Sequence, residues 1–441
     1  MTTYQRLDRT ALFNRLQGCF KGLPEANTLS GGRTEALRKL HAYDPASYGR
    51  TRNHIDSAVS RLSPYLRHGM ISPVEVKDHL GSKFPNEPTR IEEFLRQLAW
   101  RDFFEKVLAW HGNGLNEDLE EPKHGVARSH KIPLDVLKGD TGLPCVDGML
   151  GELFEQGYLH NHARLWFSAY LCHFRGVRWQ EGAKLFRQYL YDGDVASNSA
   201  SWQWVESTFA SKPYFMNKDN IANFSNGKWC DSCKAKCPFD ADYPTLQHRL
   251  FADSTAPLAS KTADKDVAIG TTNEAHNTIA DEILPQQSSK DLVWVHDAAM
   301  SWTDPAIANN PNAAVAFVFD EPMLRTEPWA FHRIAFIADG IDDLYETLPN
   351  STKLILIGAT AERLTTVAQK FGATTIHISD HPNPWVIETI EHLRQNFNVT
   401  VHPKPALTEY QLEPKRFSRY WEKVAAQVLG YRPKPSKRMH H

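Results

Sequence analysis

The sequence predicts a two-part chain: an all-helical first half, then a smaller open sheet of parallel strands with flanking helices. Three observations carry that expectation. Apolar residues recur at helical spacing through most of residues 1–250. A polar stretch with hardly an aromatic side chain covers 251–290. From Asp291 onward, short unbroken apolar runs alternate with helical stretches, the pattern of strands buried on both faces of a parallel sheet.

In the first half, residues 90–110 place Phe94, Leu95, Leu98, Phe103 and Val107 on one helical stripe, and 150–174 and 179–190 repeat the pattern. Residues 251–290 are rich in Ala, Ser, Thr, Asp, Asn and Gln, too little apolar surface to offset the entropy of ordering, and are expected to form a flexible linker. Strands are expected at 292–295, 314–319, 354–357, 374–379 and 399–402, with helices near 336–348 and 361–371, giving a Rossmann-like α/β unit. The expected units are therefore 1–250, the linker 251–290, 291–405, and a C-terminal helix with a basic tail over 406–441.

The bulk composition excludes several classes. With 41 % hydrophobic and 23 % charged residues the 441-residue chain can bury a real core. A formal net charge of −2 points to neither a nucleic-acid nor a membrane partner, so any basic surface must be local. No apolar run approaches the roughly 18 residues of a membrane helix. Met1-Thr2-Thr3-Tyr4 opens on a polar stretch without a leader-like apolar region, and six cysteines are too few for a disulfide scaffold, so a cytoplasmic protein is expected.

Four segments carry chemistry. Ser60 and Ser63 lie in Val59-Ser60-Arg61-Leu62-Ser63-Pro64, a turn entering a helix, where hydroxyls, backbone N–H groups and the helix dipole favour an anion. Phe94 to Phe103 contains Gln97, Trp100, Arg101 and Asp102. Gly157 to Arg164 contains Asn161 and His162. Asp192-Gly193-Asp194 precedes Asn198 and Trp202-Gln203-Trp204.

In this order and at these separations the four segments resemble the FAD-binding helical domain of the photolyase/cryptochrome family, over roughly residues 40–230. The resemblance implies FAD held by Tyr48, Ser60, Arg61, Leu62, Ser63, Arg101, Asn161, Arg164, Asp192, Gly193, Asp194 and Asn198. Asp194 is expected to accept the flavin N3–H, Asp192 to pair with Arg164, and Asn198 to face N5. Val59 stands where the family has a hydroxyl. Trp202 and Trp179 match two members of the family's electron-carrying tryptophan chain. The third position has no counterpart, so either photoreduction is slow or another aromatic, such as Trp110 or Trp166, substitutes. The resemblance also gives Arg52, Gln97, Trp100, Arg101 and His162 to DNA bearing ultraviolet lesions, with Arg61, Arg67, Arg164 and Arg175 completing a local basic rim.

Cys230, Cys233 and Cys237 place three thiols within eight residues, and close thiols usually hold a metal. With Cys145 upstream the set is similar to the ligands of the iron–sulfur photolyase branch, which implies a 4Fe–4S cluster. The insertion usual between the last two of the downstream cysteines is missing, and a zinc site remains the alternative. Cys19 and Cys172 are expected to be packing residues. The α/β unit resembles the family's antenna domain but follows the helical domain, as in a circular permutation. Asp297-Ala298-Ala299-Met300 replaces the family's Arg-Asp-Leu-Arg stretch, which argues against a retained antenna pigment. The expected activity is light-driven electron transfer to damaged pyrimidines, with a cryptochrome-like light sensor and a redox flavoprotein without DNA as rivals.

Overall fold

The computed structural model describes residues 6–22, 29–124, 128–252, 289–348 and 352–432. The expected linker therefore falls largely outside the described residues, as does the basic tail beyond Arg432. At the linker's expected start the chain is still helical: Tyr243–Phe251 is a helix, and the Phe251 ring lies 5.1 Å from His124 and 5.2 Å from His173.

The helical half is built mainly from α1 (Ser63–Arg67), α2 (Pro88–His111), α3 (Pro144–Gln156), α4 (Asn161–Ala169), α5 (Trp179–Tyr189) and α6 (Ala196–Glu206). The helix expected over 150–174 is in fact broken. Gly157 takes φ 61°, which only glycine adopts without strain, and ends α3; the His160 side chain then caps α4 by accepting from the His162 N–H at 3.2 Å. A π turn, Tyr170–Phe174, follows α4.

The sheet contains β1 (Asp291–Val295), β2 (Ala314–Asp320), β3 (Lys353–Gly358), β4 (Thr375–Ser379) and β5 (Asn398–His402), all parallel and ordered β3-β2-β1-β4-β5. The strand order reverses between β1 and β4, the switch point of a doubly wound sheet. Alternate residues serve opposite faces, because strand side chains have a period of two. Leu292, Trp294, Ala316 and Ile378 pack beneath α8 (Thr360–Phe371) and α9 (Pro384–Leu393). Val293, Val295, Val315 and Phe317 pack beneath α7 (Phe331–Thr347), and that core continues into the helical half through Tyr65, Ile71 and Phe103. The two halves thus share one hydrophobic core. Among the described residues no helix is long and apolar enough to cross a membrane.

A C-terminal helix, α10 (Phe417–Leu429), returns to cover α2. The Thr408 hydroxyl donates to buried Asp102 at 2.8 Å, the Tyr420 hydroxyl donates to the same carboxylate oxygen, and Phe417 stacks on Trp100 with ring centroids 3.7 Å apart.

Polar contacts also cross between the halves. Arg67 of α1 forms a buried ion pair with Asp297 at 2.7 Å, just after β1, and the His68 ring bridges the Asp297 and Tyr191 carbonyls. Burial pushes the Asp297 carboxyl up, but Arg67 together with His68, Arg333 and His296 outweighs it and holds the group well below the carboxylate range. Removing one partner of such a pair strands the other, at a cost of about 3 kcal/mol. Asp297→Asn should lower stability by about that much at pH 7 in urea denaturation. A depressed carboxyl contributes above its unfolded pKa, so the difference from wild type should shrink as the pH falls below about 4. A difference that persists unchanged into acid would remove the ion pair from the account.

Candidate functional site

The site forms where α1, α2, α4 and the turn before α6 meet. At the 60–62 turn the Leu62 N–H donates to the Ser60 hydroxyl at 3.3 Å, and Arg61 holds φ 52°, an unusual conformation for a non-glycine residue. The Arg61 guanidinium lies over the Tyr158 ring at 4.8 Å, and Arg164 approaches the same ring at 5.8 Å. Arg164 donates to Asp192 at 3.0 Å and to the Leu159 carbonyl at 2.8 Å. Burial pushes the Asp192 carboxyl up, but Arg164 and the Ser63 hydroxyl outweigh it, so the group stays ionised. Two guanidinium groups, two serines and a left-handed turn fit a diphosphate.

Asp194 accepts from the Ser197 N–H at 2.7 Å and the Asn198 N–H at 3.2 Å, which caps α6, and from Arg101 at 3.4 Å. Asn198 donates through Nδ2 to the Ala183 carbonyl at 2.8 Å, which fixes its amide orientation. The Gly193 carbonyl accepts from Arg67 at 3.3 Å and from Arg333 of α7 at 2.7 Å. Tyr48 packs edge-on against Phe94, and burial pushes its phenol up to about 12. Asn161 is exposed in the first turn of α4. A cavity beside Asp194 is lined by Arg67, Arg101, Glu105, His381 and Asn383, so it lies between the site and the loop after β4, at the switch point. The His160 Nε2 is buried without a partner among the described residues, and Arg164 and Arg61 are charges it feels. Asp192, Asp194, Arg101, Arg164 and Tyr158 thus present a donor and acceptor set suited to FAD.

Residues expected at DNA are engaged within the protein. Arg52 pairs with Glu93 at 3.1 Å, and Gln97 donates to the same carboxylate at 2.8 Å. His162 is buried, with Nδ1 at 2.7 Å from the Asn53 carbonyl and its ring against Trp166 and Phe224. Trp100 lies beneath Phe417. Sequence reasoning missed Glu93, Glu105, Tyr158 and Arg333. The first two were within reach, since Glu93, Gln97, Arg101 and Glu105 recur every four residues and share one face of α2.

The four cysteines converge on a second cavity. Cys145 in the first turn of α3 and Cys230, Cys233 and Cys237 line it together with Trp229 and Phe239. Burial pushes the Cys145 thiol up to about 12 and raises Cys230 and Cys237. Cys19 and Cys172 are buried elsewhere, and all six cysteines are free of disulfides. Among the described residues, the three metal-ligand side chains whose ligand atoms all lie within 4.8 Å of one another are His124, His173 and Glu206, not the cysteines. The Arg128 guanidinium already sits in that group, with Nη2 at 2.9 Å from Glu206 and 3.3 Å from His173, so a cation is built in.

Comparison with known proteins agrees with this geometry. Residues 94–242 match the family described as the FAD binding domain of DNA photolyase. A deoxyribodipyrimidine photo-lyase of Streptomyces griseus is 40% identical over 158 residues, 34% of this chain and 32% of the relative. One from Halobacterium salinarum is 32% identical over 197 residues, 42% of this chain and 41% of the relative. The crystal structure of a Synechocystis cryptochrome aligns with TM-score 0.41 and 25% identity over 45% of this chain and 44% of that one. The matched segment is of the FAD-binding type. Residues 94–242 are similar to the FAD-binding domain of DNA photolyases, and the chain spans about a third to two fifths of the length of these curated relatives.

Arg164→Ala and Asp194→Ala should each purify with at least tenfold less flavin than wild type, a loss of about 1.4 kcal/mol or more in binding. Flavin absorbance per chain measures it, and full retention in both variants would remove the site assignment.

Proposed function

We propose that this chain is a photolyase-type lyase, passing one electron from light-excited reduced FAD to damaged pyrimidines in DNA. The observation that carries the proposal is the convergence of the Arg164–Asp192 and Arg101–Asp194 pairs with the 60–63 turn inside and beside the matched segment. Bound FAD supplies light-driven one-electron chemistry. Ser60, Arg61, Leu62 and Ser63 hold the diphosphate side. Tyr48, Asn161, Arg101, Asp192, Gly193, Asp194 and Asn198 serve the remainder, with Asp194 toward N3–H and Asn198 toward N5. Trp202 and Trp179 resupply electrons. Arg52, Gln97, Trp100, Arg101 and His162 face the strand, with a lesion-weakened base pair flipped inward. Six unpaired thiols suit a cytoplasmic protein.

The metal in this proposal is a 4Fe–4S cluster on Cys145, Cys230, Cys233 and Cys237. A single zinc ion with Zn–S bonds near 2.3 Å would draw its sulfurs to about 3.8 Å from one another. Four thiols lining one cavity could serve either centre, and the likeness to the iron–sulfur branch favours the cluster, with zinc as the alternative. No antenna pigment is included, because Asp297-Ala298-Ala299-Met300 stands in place of the family's Arg-Asp-Leu-Arg stretch. The helical domain first and the sheet second is taken as a circular permutation, which surface termini make tolerable.

One observation favours the cryptochrome-like sensor instead. The Phe417 stack covers Trp100, and Glu93 holds Arg52, so strand binding requires both contacts to yield. Gel binding to ultraviolet-irradiated and intact oligonucleotides, in light and in dark, separates the two. The lyase should prefer the irradiated strand at least tenfold in the dark and release it repaired after illumination; equal or absent binding would move the function to a light sensor or redox relay. For the metal, Cys145→Ser should lower iron per chain severalfold while Cys19→Ser leaves it unchanged. Zinc without iron in wild type prepared free of oxygen would replace the cluster by a zinc site.

A further inference from the structure

Trp202 and Trp179 differ at their indole nitrogens. Trp202 is 1% exposed, and its Nε1–H is buried without an acceptor among the described residues. Trp179 is 3% exposed, and its Nε1–H donates to the Asp118 carboxylate at 2.6 Å. Asp118 itself is on the surface. Both indoles belong to one apolar cluster: Trp202 lies so close to α5 that a Cβ on Gly182 would meet its ring at 2.1 Å, and Trp179 is one turn earlier on that helix. The 115–119 segment carrying Asp118 is tied to α6 beside Trp202. The Leu119 N–H donates to Gln203 Oε1, and Gln203 Nε2 donates to the Leu115 carbonyl, both at 2.9 Å.

We propose that Asp118 is the proton acceptor that ends the electron relay at Trp179, making two tryptophans sufficient where no third one follows. The inference rests on the proposed flavin site. An electron leaves Trp202 for the light-excited flavin, and one from Trp179 then fills the Trp202 vacancy. An oxidised indole is a far stronger acid than a neutral one. Trp202 has no base to receive its proton and stays cationic, so it remains a strong oxidant of Trp179. Trp179 gives its Nε1 proton to Asp118, which passes it to water, and a neutral radical is left. The electron ends on the flavin, the vacancy on Trp179 and the proton, by way of the Asp118 carboxylate, in water; no reactant other than solvent enters. Charge return then has to retrieve the proton, which slows it. The other candidate relay members lack this arrangement. Trp166 is fully buried and donates to the Asn220 amide oxygen, which is no base, and Trp110 is 56% exposed on α2.

The test is flash photolysis of the flavin-loaded protein without added reductant, with Asp118→Asn as the key variant, since an amide oxygen still accepts the hydrogen bond but takes no proton. Wild type should show a neutral tryptophanyl spectrum whose formation slows in deuterated water. Asp118→Asn should show the cation spectrum and return at least tenfold faster, about 1.4 kcal/mol in the return barrier. Asp118→Glu should restore the neutral spectrum. In the dark, the Trp179 indole Raman band of wild type and Asp118→Asn should coincide, confirming that the hydrogen bond survives. The same neutral spectrum and lifetime in Asp118→Asn would overturn the role of Asp118. Bound flavin with no tryptophanyl signal in wild type would instead overturn the relay beneath it.

Discussion

The Gly193 carbonyl is held by two arginines, Arg67 from the helical half and Arg333 from the sheet half, and the rest of the site depends on that clamp. The residues on either side are Asp192 and Asp194, whose carboxylates turn to Arg164 and Arg101. Arg67 also pairs with Asp297 just after β1, so the Gly193 turn, the helix that follows the 60–62 turn and the sheet share one charged junction. A buried junction of this kind is worth little as net stability but sets geometry, because no alternative partner satisfies its charges. Chain order matters little to it. Adjacent halves are enough, whichever one comes first in the chain.

The same helix pair borders both candidate sites. Cys145 stands at the start of α3 and Arg164 in α4, and the break at Gly157 sets the angle between them. The cysteine cavity is apolar on the Trp229 and Phe239 side, whereas the flavin side is lined with guanidinium and carboxylate groups. The Trp202 indole N–H is buried without a partner among the described residues, whereas that of Trp179 donates to a carboxylate, a difference their spacing alone does not reveal.

Much of this was legible in the sequence because it is local. Strands buried on both faces read as unbroken apolar runs, and 292–295 and 314–319 fall inside β1 and β2. The Asp192-Gly193-Asp194 turn and the pairing of Asp192 with Arg164 followed from a family resemblance, and the hydrogen bond is present. What escaped was non-local or weakly patterned. Arg333 reaches Gly193 from 140 residues away, and no spacing rule links them. Phe417 covers Trp100 because the C-terminal segment returns to α2, held by Asp102, which looks in sequence like one more charged helix residue. The break at Gly157 was hidden by apolar residues that keep helical spacing on both sides of it.

The absorption spectrum of protein purified without oxygen tests the central claim most directly, because it reports flavin and metal centre on one sample. One FAD per chain, with flavin bands standing on a broad thiolate–iron absorption at roughly 400 nm, is the predicted result. A colourless protein that takes up no FAD when the cofactor is added would contradict the account at its base.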